Sequence, residues 1–99
     1  MKREQTMSNF LVLYEGKAHQ LHSPMLKKII GDVEEEFEVT LDPGIIARIW
    51  KRLHEAYKLG FLDAEVEAVW NWLDREVKNP EPYQKLVEIY TDSEEKADE

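Results

Sequence analysis

Five carboxylates fall within residues 32–38, namely Asp32, Glu34, Glu35, Glu36 and Glu38, and carboxylate oxygens are the ligands that hard cations such as Mg²⁺ select. Such an ion, set against a phosphate, would support hydrolysis. The more economical reading of the same run is a solvated helix face. His19 and His22 are three apart, a spacing that lets two imidazoles share a metal on one helical turn but sends them to opposite faces of a strand. The third histidine, His54, is far along the chain and there is no cysteine, so a three- or four-ligand centre would need carboxylates that no spacing selects. Among the serines, Ser8 lies in a polar end, Ser23 at a helix start and Ser93 in an acidic stretch, and none sits in a visible triad. No catalytic residue, metal centre or cofactor is expected, and the chain reads as a non-enzyme.

The run Glu34-Glu35-Glu36-Phe37-Glu38 contains an EExxE spacing and in this resembles the MazG-like nucleotide pyrophosphohydrolases. The resemblance implies a metal-dependent nucleotide hydrolase in which helical carboxylates, here Glu34, Glu35 and Glu38, hold Mg²⁺ against a nucleoside triphosphate. The ExxD of that family has no counterpart downstream, because Asp63 and Asp74 are preceded three residues earlier by Gly60 and Asn71. The match covers five residues, and this is the remotest of the functional readings.

Binding surfaces are better marked. Asp63, Glu67 and Asp74 align on one side of a helix, and with the run at 32–38 they suit the Arg and Lys side chains of a partner. Trp72 falls more than a quarter-turn from the centre of its helix's apolar stripe, among Glu65, Ala68 and Glu76, where it is either an exposed aromatic anchor or covered by the N-terminal segment or the last helix. One surface is cationic: Arg48, Lys51, Arg52 and Lys58 lie opposite an apolar stripe, interrupted only by Glu55. They either steer an anionic partner or pair with neighbouring acidic helices. The turn at Gly60 has the outline of a helix-turn-helix, yet the helix after it presents Asp63, Glu65 and Glu67 where DNA readers need Arg, Lys, Asn or Gln.

Positioning these residues falls to amphipathic helices. Asp42-Pro43 is a cap followed by a proline, Ile46, Ile49, Trp50, Leu53 and Tyr57 form one stripe, Gly60 suits the left-handed turn, and Leu62, Val66, Val69, Trp70, Leu73 and Val77 form the next. Ser23-Pro24 opens a helix carrying Leu26, Ile29, Ile30, Val33 and Phe37, and Asn79-Pro80 opens one carrying Tyr83, Leu86, Val87 and Tyr90. Residues 10–22 fit a β-hairpin turning at Glu15-Gly16, or a helix interrupted by Gly16; the hairpin is preferred. The fold class is mainly α: a four-helix domain built on a central αα-hairpin, with a small N-terminal β-hairpin. Residues 1–8 read as a flexible extension, 9–90 as the globular domain and 91–99 as a disordered acidic tail.

A net charge of -8 weighs against general binding to phosphate backbones, so nucleic acid is not the expected partner. No apolar run approaches the roughly 18 residues of a membrane span, and a cytoplasmic address is the default. The leading expectation is a small acidic protein-binding module, an accessory or inhibitory regulator of a larger partner with a basic surface. The alternative is a nucleic-acid-associated regulator using the basic helix at 45–58; oligomeric state is not encoded legibly.

Overall fold

The structure is a computed structural model that describes residues 11–20 and 22–97. The extension expected over residues 1–8 lies outside the described residues. The first element is a hairpin, β1 (Leu11–Tyr14) and β2 (Lys17–Gln20), antiparallel with Tyr14 opposite Lys17. Glu15 and Gly16 between them both take positive φ, 56° and 78°, the two-residue turn whose twist matches paired strands. Gly16, which would cost a helix about 1 kcal/mol, is what this turn requires.

Among the described residues four helices follow: α1 (Ser23–Phe37), α2 (Pro43–Leu59), α3 (Leu62–Glu76) and α4 (Glu81–Ala97). Their starts follow the proline signals with small shifts. At α1 the cap is His22, one residue earlier than the sequence suggests, and its Nδ1 accepts from the Met25 amide at 3.5 Å. At α2 the cap is Asp42, whose Oδ1 accepts from the Gly44 amide at 2.8 Å. Helix α2 ends in the left-handed Gly60, φ 78°, and the Phe61 amide returns to the Ala56 carbonyl at 2.9 Å, so α3 folds back beside α2 as the expected αα-hairpin. The loop before α2 is closed by a side chain, since Glu34 Oε2 accepts from the Leu41 amide at 3.0 Å.

The apolar stripes of all four helices meet in one core together with Val12 of β1. Helix α4 lies at its centre, against β1, α1 and α3, and buries Pro82, Leu86, Val87 and Tyr90 completely. Three consecutive residues in its first turn also reach three different helices. Tyr83 Oη accepts from the Asp42 amide at the start of α2, 2.8 Å away; Gln84 Nε2 donates to Asp74 on α3 at 3.1 Å; and Lys85 Nζ lies 3.7 Å from Glu36 on α1. From Thr91, where the sequence suggests an acidic tail, the backbone is helical to Ala97, and residues 98–99 of that stretch lie outside the described residues. Thr91 Oγ1 donates back to the Val87 carbonyl at 2.8 Å, and with no Gly or Pro in residues 91–97 a helix already nucleated by buried turns propagates at little cost. Among the described residues no helix is long and apolar enough to cross a membrane.

The hairpin is fastened to α1 by charge. The Tyr14 hydroxyl donates to Asp32, and Lys28 Nζ stands 3.1 Å from Asp32, 3.6 Å from Glu15 and 5.1 Å from the centre of the Tyr14 ring. The bond from Tyr14, then that from Lys28, holds the Asp32 carboxyl below the usual carboxylate range, and the bond to Asp32 raises the Lys28 ammonium. A depressed carboxyl adds stability above its unfolded value, near 4, that is lost as pH falls through the folded value. The thermal midpoint of Asp32→Asn should therefore lie below that of the wild type at pH 7, and the two should converge as pH drops below about 4. Midpoint curves that run parallel from neutral to acidic pH would contradict this fastening.

Candidate functional site

Helix α3 has two outer sides: one bears Asp63, Glu67 and Asp74, and the other, with Glu65 and Arg75, faces the cations of α2. At about 100° per residue, Asp63, Glu67, Trp70 and Asp74 fall within roughly 60° of one another, and Trp72 and Arg75 lie about 110° or more from the centre of that group. The buried residues Val66, Val69 and Leu73 hold the helix on the core, which fixes both outer sides in place.

On the acidic side, Asp63 and Glu67 are exposed, with no hydrogen bond or ion pair to another described residue, and Asp74 is held by Gln84. Trp70 stands among them, 38% exposed. This corrects the placement of the two tryptophans. The sequence puts Trp70 in the buried stripe and leaves Trp72 as either an exposed anchor or a covered side chain; in the structure Trp70, at the edge of the stripe, is the exposed one. Trp72 is half-buried against the core and lines a groove shared with α2.

The acidic run on α1 is largely engaged within the fold. Asp32 fastens the hairpin, Glu34 closes the loop before α2, and Glu36 faces Lys85, which leaves Glu35 and Glu38 as exposed carboxylates, Glu38 ending the helix at φ 55°. Among the described residues no group of three or more His, Cys, Asp or Glu is disposed to hold a metal ion. The EExxE spacing therefore places Glu34, Glu35 and Glu38 on one helix without gathering an ion cradle from them. Two histidines also have structural roles: His22 caps α1, and His54 Nδ1 lies 2.9 Å from the Trp50 carbonyl.

The other side of α3 faces α2 across a groove of about 770 Å³, lined by Arg48, Lys51, Arg52 and Glu55 of α2 and by Ala68, Val69, Asn71, Trp72 and Arg75 of α3. Three of the four cations expected on α2 are here. The fourth, Lys58, does not line the groove; it occupies the last turn of α2, where a cation complements the carbonyl end of the helix. Arg52 is engaged, its Nε 2.6 Å from Glu65 Oε2, which realises in part the pairing with a neighbouring acidic helix. Arg48, Lys51 and Arg75 make no hydrogen bond or ion pair to another described residue. Sequence reading missed Arg75 and Asn71. Their signal is the spacing of Ala68, Asn71, Trp72 and Arg75 at i, i+3, i+4 and i+7, one helical face that is neither core nor acidic.

The charge difference across α3 is measurable through its tryptophans. Trp72→Phe leaves Trp70 as the accessible indole and should be quenched more by caesium than by iodide, because carboxylates concentrate the cation. Trp70→Phe leaves Trp72 and should show the reverse preference, with Trp50 as a buried background in both. Equal quenching of both variants by both ions would show that the two sides of α3 do not differ in potential.

No family model, curated protein or solved structure matches this chain.

Proposed function

We propose that the chain is a small protein-binding module, an accessory or inhibitory regulator that docks on a basic surface of a larger partner protein through the outer side of α3. The observation that carries this reading is an exposed Trp70 set among Asp63, Glu67 and Asp74. An indole offers a large apolar contact at low conformational cost, which is why tryptophan is enriched among the residues that dominate interfaces. The flanking carboxylates favour encounter with Arg and Lys and disfavour acidic competitors. Asp63 and Glu67 are available for such pairs, whereas most of the acidic run on α1 is already engaged within the fold. The same side speaks against reading DNA with α3, since carboxylates there would face phosphates.

The test is capture of a partner from a lysate of the source organism by the wild-type chain and by Trp70→Ala, at low and high salt, with nuclease present. A stoichiometric protein should be retained by the wild type and lost from Trp70→Ala by a factor corresponding to about 2 kcal/mol or more. Retention should also weaken with salt, as exposed charge pairs are screened over about 10 Å at 0.1 M. Retention that is indifferent to Trp70→Ala, or that nuclease abolishes, would transfer the function to the basic groove.

A further inference from the structure

The groove between α2 and α3 is a second site, and its geometry points to a nucleoside di- or triphosphate as its ligand. The inference goes beyond the docking surface just described and shares no residue with it, nor with the carboxylate run on α1.

Charge is the first argument. The chain has 21 Asp and Glu against 13 Lys and Arg, so carboxylates to neutralise a cation are abundant, and yet four cations line this groove with Glu55 as the only carboxylate among its lining residues. Glu65 reaches in to hold Arg52, which leaves Arg48, Lys51 and Arg75 on two facing helices with no direct ion pair to another described residue and Glu55 as the one carboxylate beside them. Like charges gathered in this way repel one another, and a bound polyanion relieves that repulsion. Phosphate oxygens suit it best, because a guanidinium presents paired N–H donors that match them in a bidentate fashion, and Arg48 and Arg75 approach from opposite walls.

Shape and chemistry of the remaining lining select the rest of the ligand. Trp72 supplies an aromatic wall, and Ala68, one turn before it on the same face, is too small to cover it. A flat base stacks on such a wall. Asn71 brings a donor and an acceptor on one amide, the pair that reads the edge of a base. The lining spans residues 48–55 of one helix and 68–75 of the other, about 10 Å of helix axis. That is the length of roughly three residues of an extended peptide, too short for a polypeptide segment to be gripped along its chain. The volume, about 770 Å³, falls within the roughly 300–1,000 Å³ of small-ligand sites.

The full-length chain, isotope-labelled, is titrated with ATP, adenosine, tripolyphosphate and an Asp/Glu-rich peptide while backbone and indole resonances are followed. ATP should shift the Trp72 indole and the amides of residues 48–55 and 68–75, and should bind about tenfold or more tighter than either adenosine or tripolyphosphate, each of which lacks one half of the recognised chemistry. Arg48→Gln and Arg75→Gln, both at exposed positions that leave the core intact, should each weaken ATP by about tenfold. Trp72→Leu should remove the preference for ATP over tripolyphosphate, and Trp70→Ala should leave ATP binding unchanged. No shift at millimolar ATP, equal affinity for ATP and tripolyphosphate in the wild type, or tighter binding of the acidic peptide than of ATP would each overturn the proposal. Because Trp70 lies outside this groove, failure here leaves the docking surface on the outer side of α3 standing, and failure there leaves this site standing.

Discussion

Burial of the inner face of α4 is the constraint on which the rest of the fold depends. Pro82, Leu86, Val87 and Tyr90 are removed from water entirely, and a fully buried aliphatic or aromatic side chain contributes about 1.5–3 kcal/mol. The exposed ion pairs of this molecule contribute no more than about 1 kcal/mol each, so apolar burial around α4 decides the architecture and the polar contacts adjust it. Val12 of β1 and Ile29 and Val33 of α1 belong to the same core. Strand β1 and α1 both lie against α4. The ties from Tyr83, Gln84 and Lys85 then fix how α2, α3 and α1 are disposed about the first turn of that helix.

The two candidate surfaces follow from this arrangement. With the inner faces of α2 and α3 committed to the core, their outer sides are free to differ. Carboxylates with an exposed indole occupy one side; Arg75, Asn71 and a half-buried indole face α2 on the other. A chain of net charge -8 thereby keeps a compact cationic groove, formed because the turn at Gly60 brings Arg48 and Lys51 opposite Arg75. Under the two proposals the surfaces would take different classes of ligand, a basic protein face and a small phosphorylated aromatic.

Much of the fold was legible in the sequence because its signals are local. Asp42-Pro43, Gly60 and the stripes at i, i+3, i+4 spacing report on a single helix each, and the Glu15-Gly16 turn reports on a single hairpin. What escaped depends on neighbours. A helical wheel places Trp70 nearer the stripe than Trp72 and leaves the cover of Trp72 open, because which of them is covered depends on how the neighbouring elements pack. Arg75 sits in an acid-rich helix, so summed charge hides it until the helix folds back on α2. Glu34 belongs to an acidic run that looks solvated, and its bond to the Leu41 amide exists only once the loop turns back over the end of α1.

Amide hydrogen exchange on the intact chain tests the central place of α4 most directly, because the slowest amides report the part of the structure that opens only on global unfolding. The amides of Leu86 through Tyr90, with that of Val12, should be the last to exchange, and those of α2 and α3 should exchange earlier through partial opening of the αα-hairpin. Protection that is greatest in α2 and α3, with α4 exchanging ahead of them, would contradict a fold organised on the burial of α4.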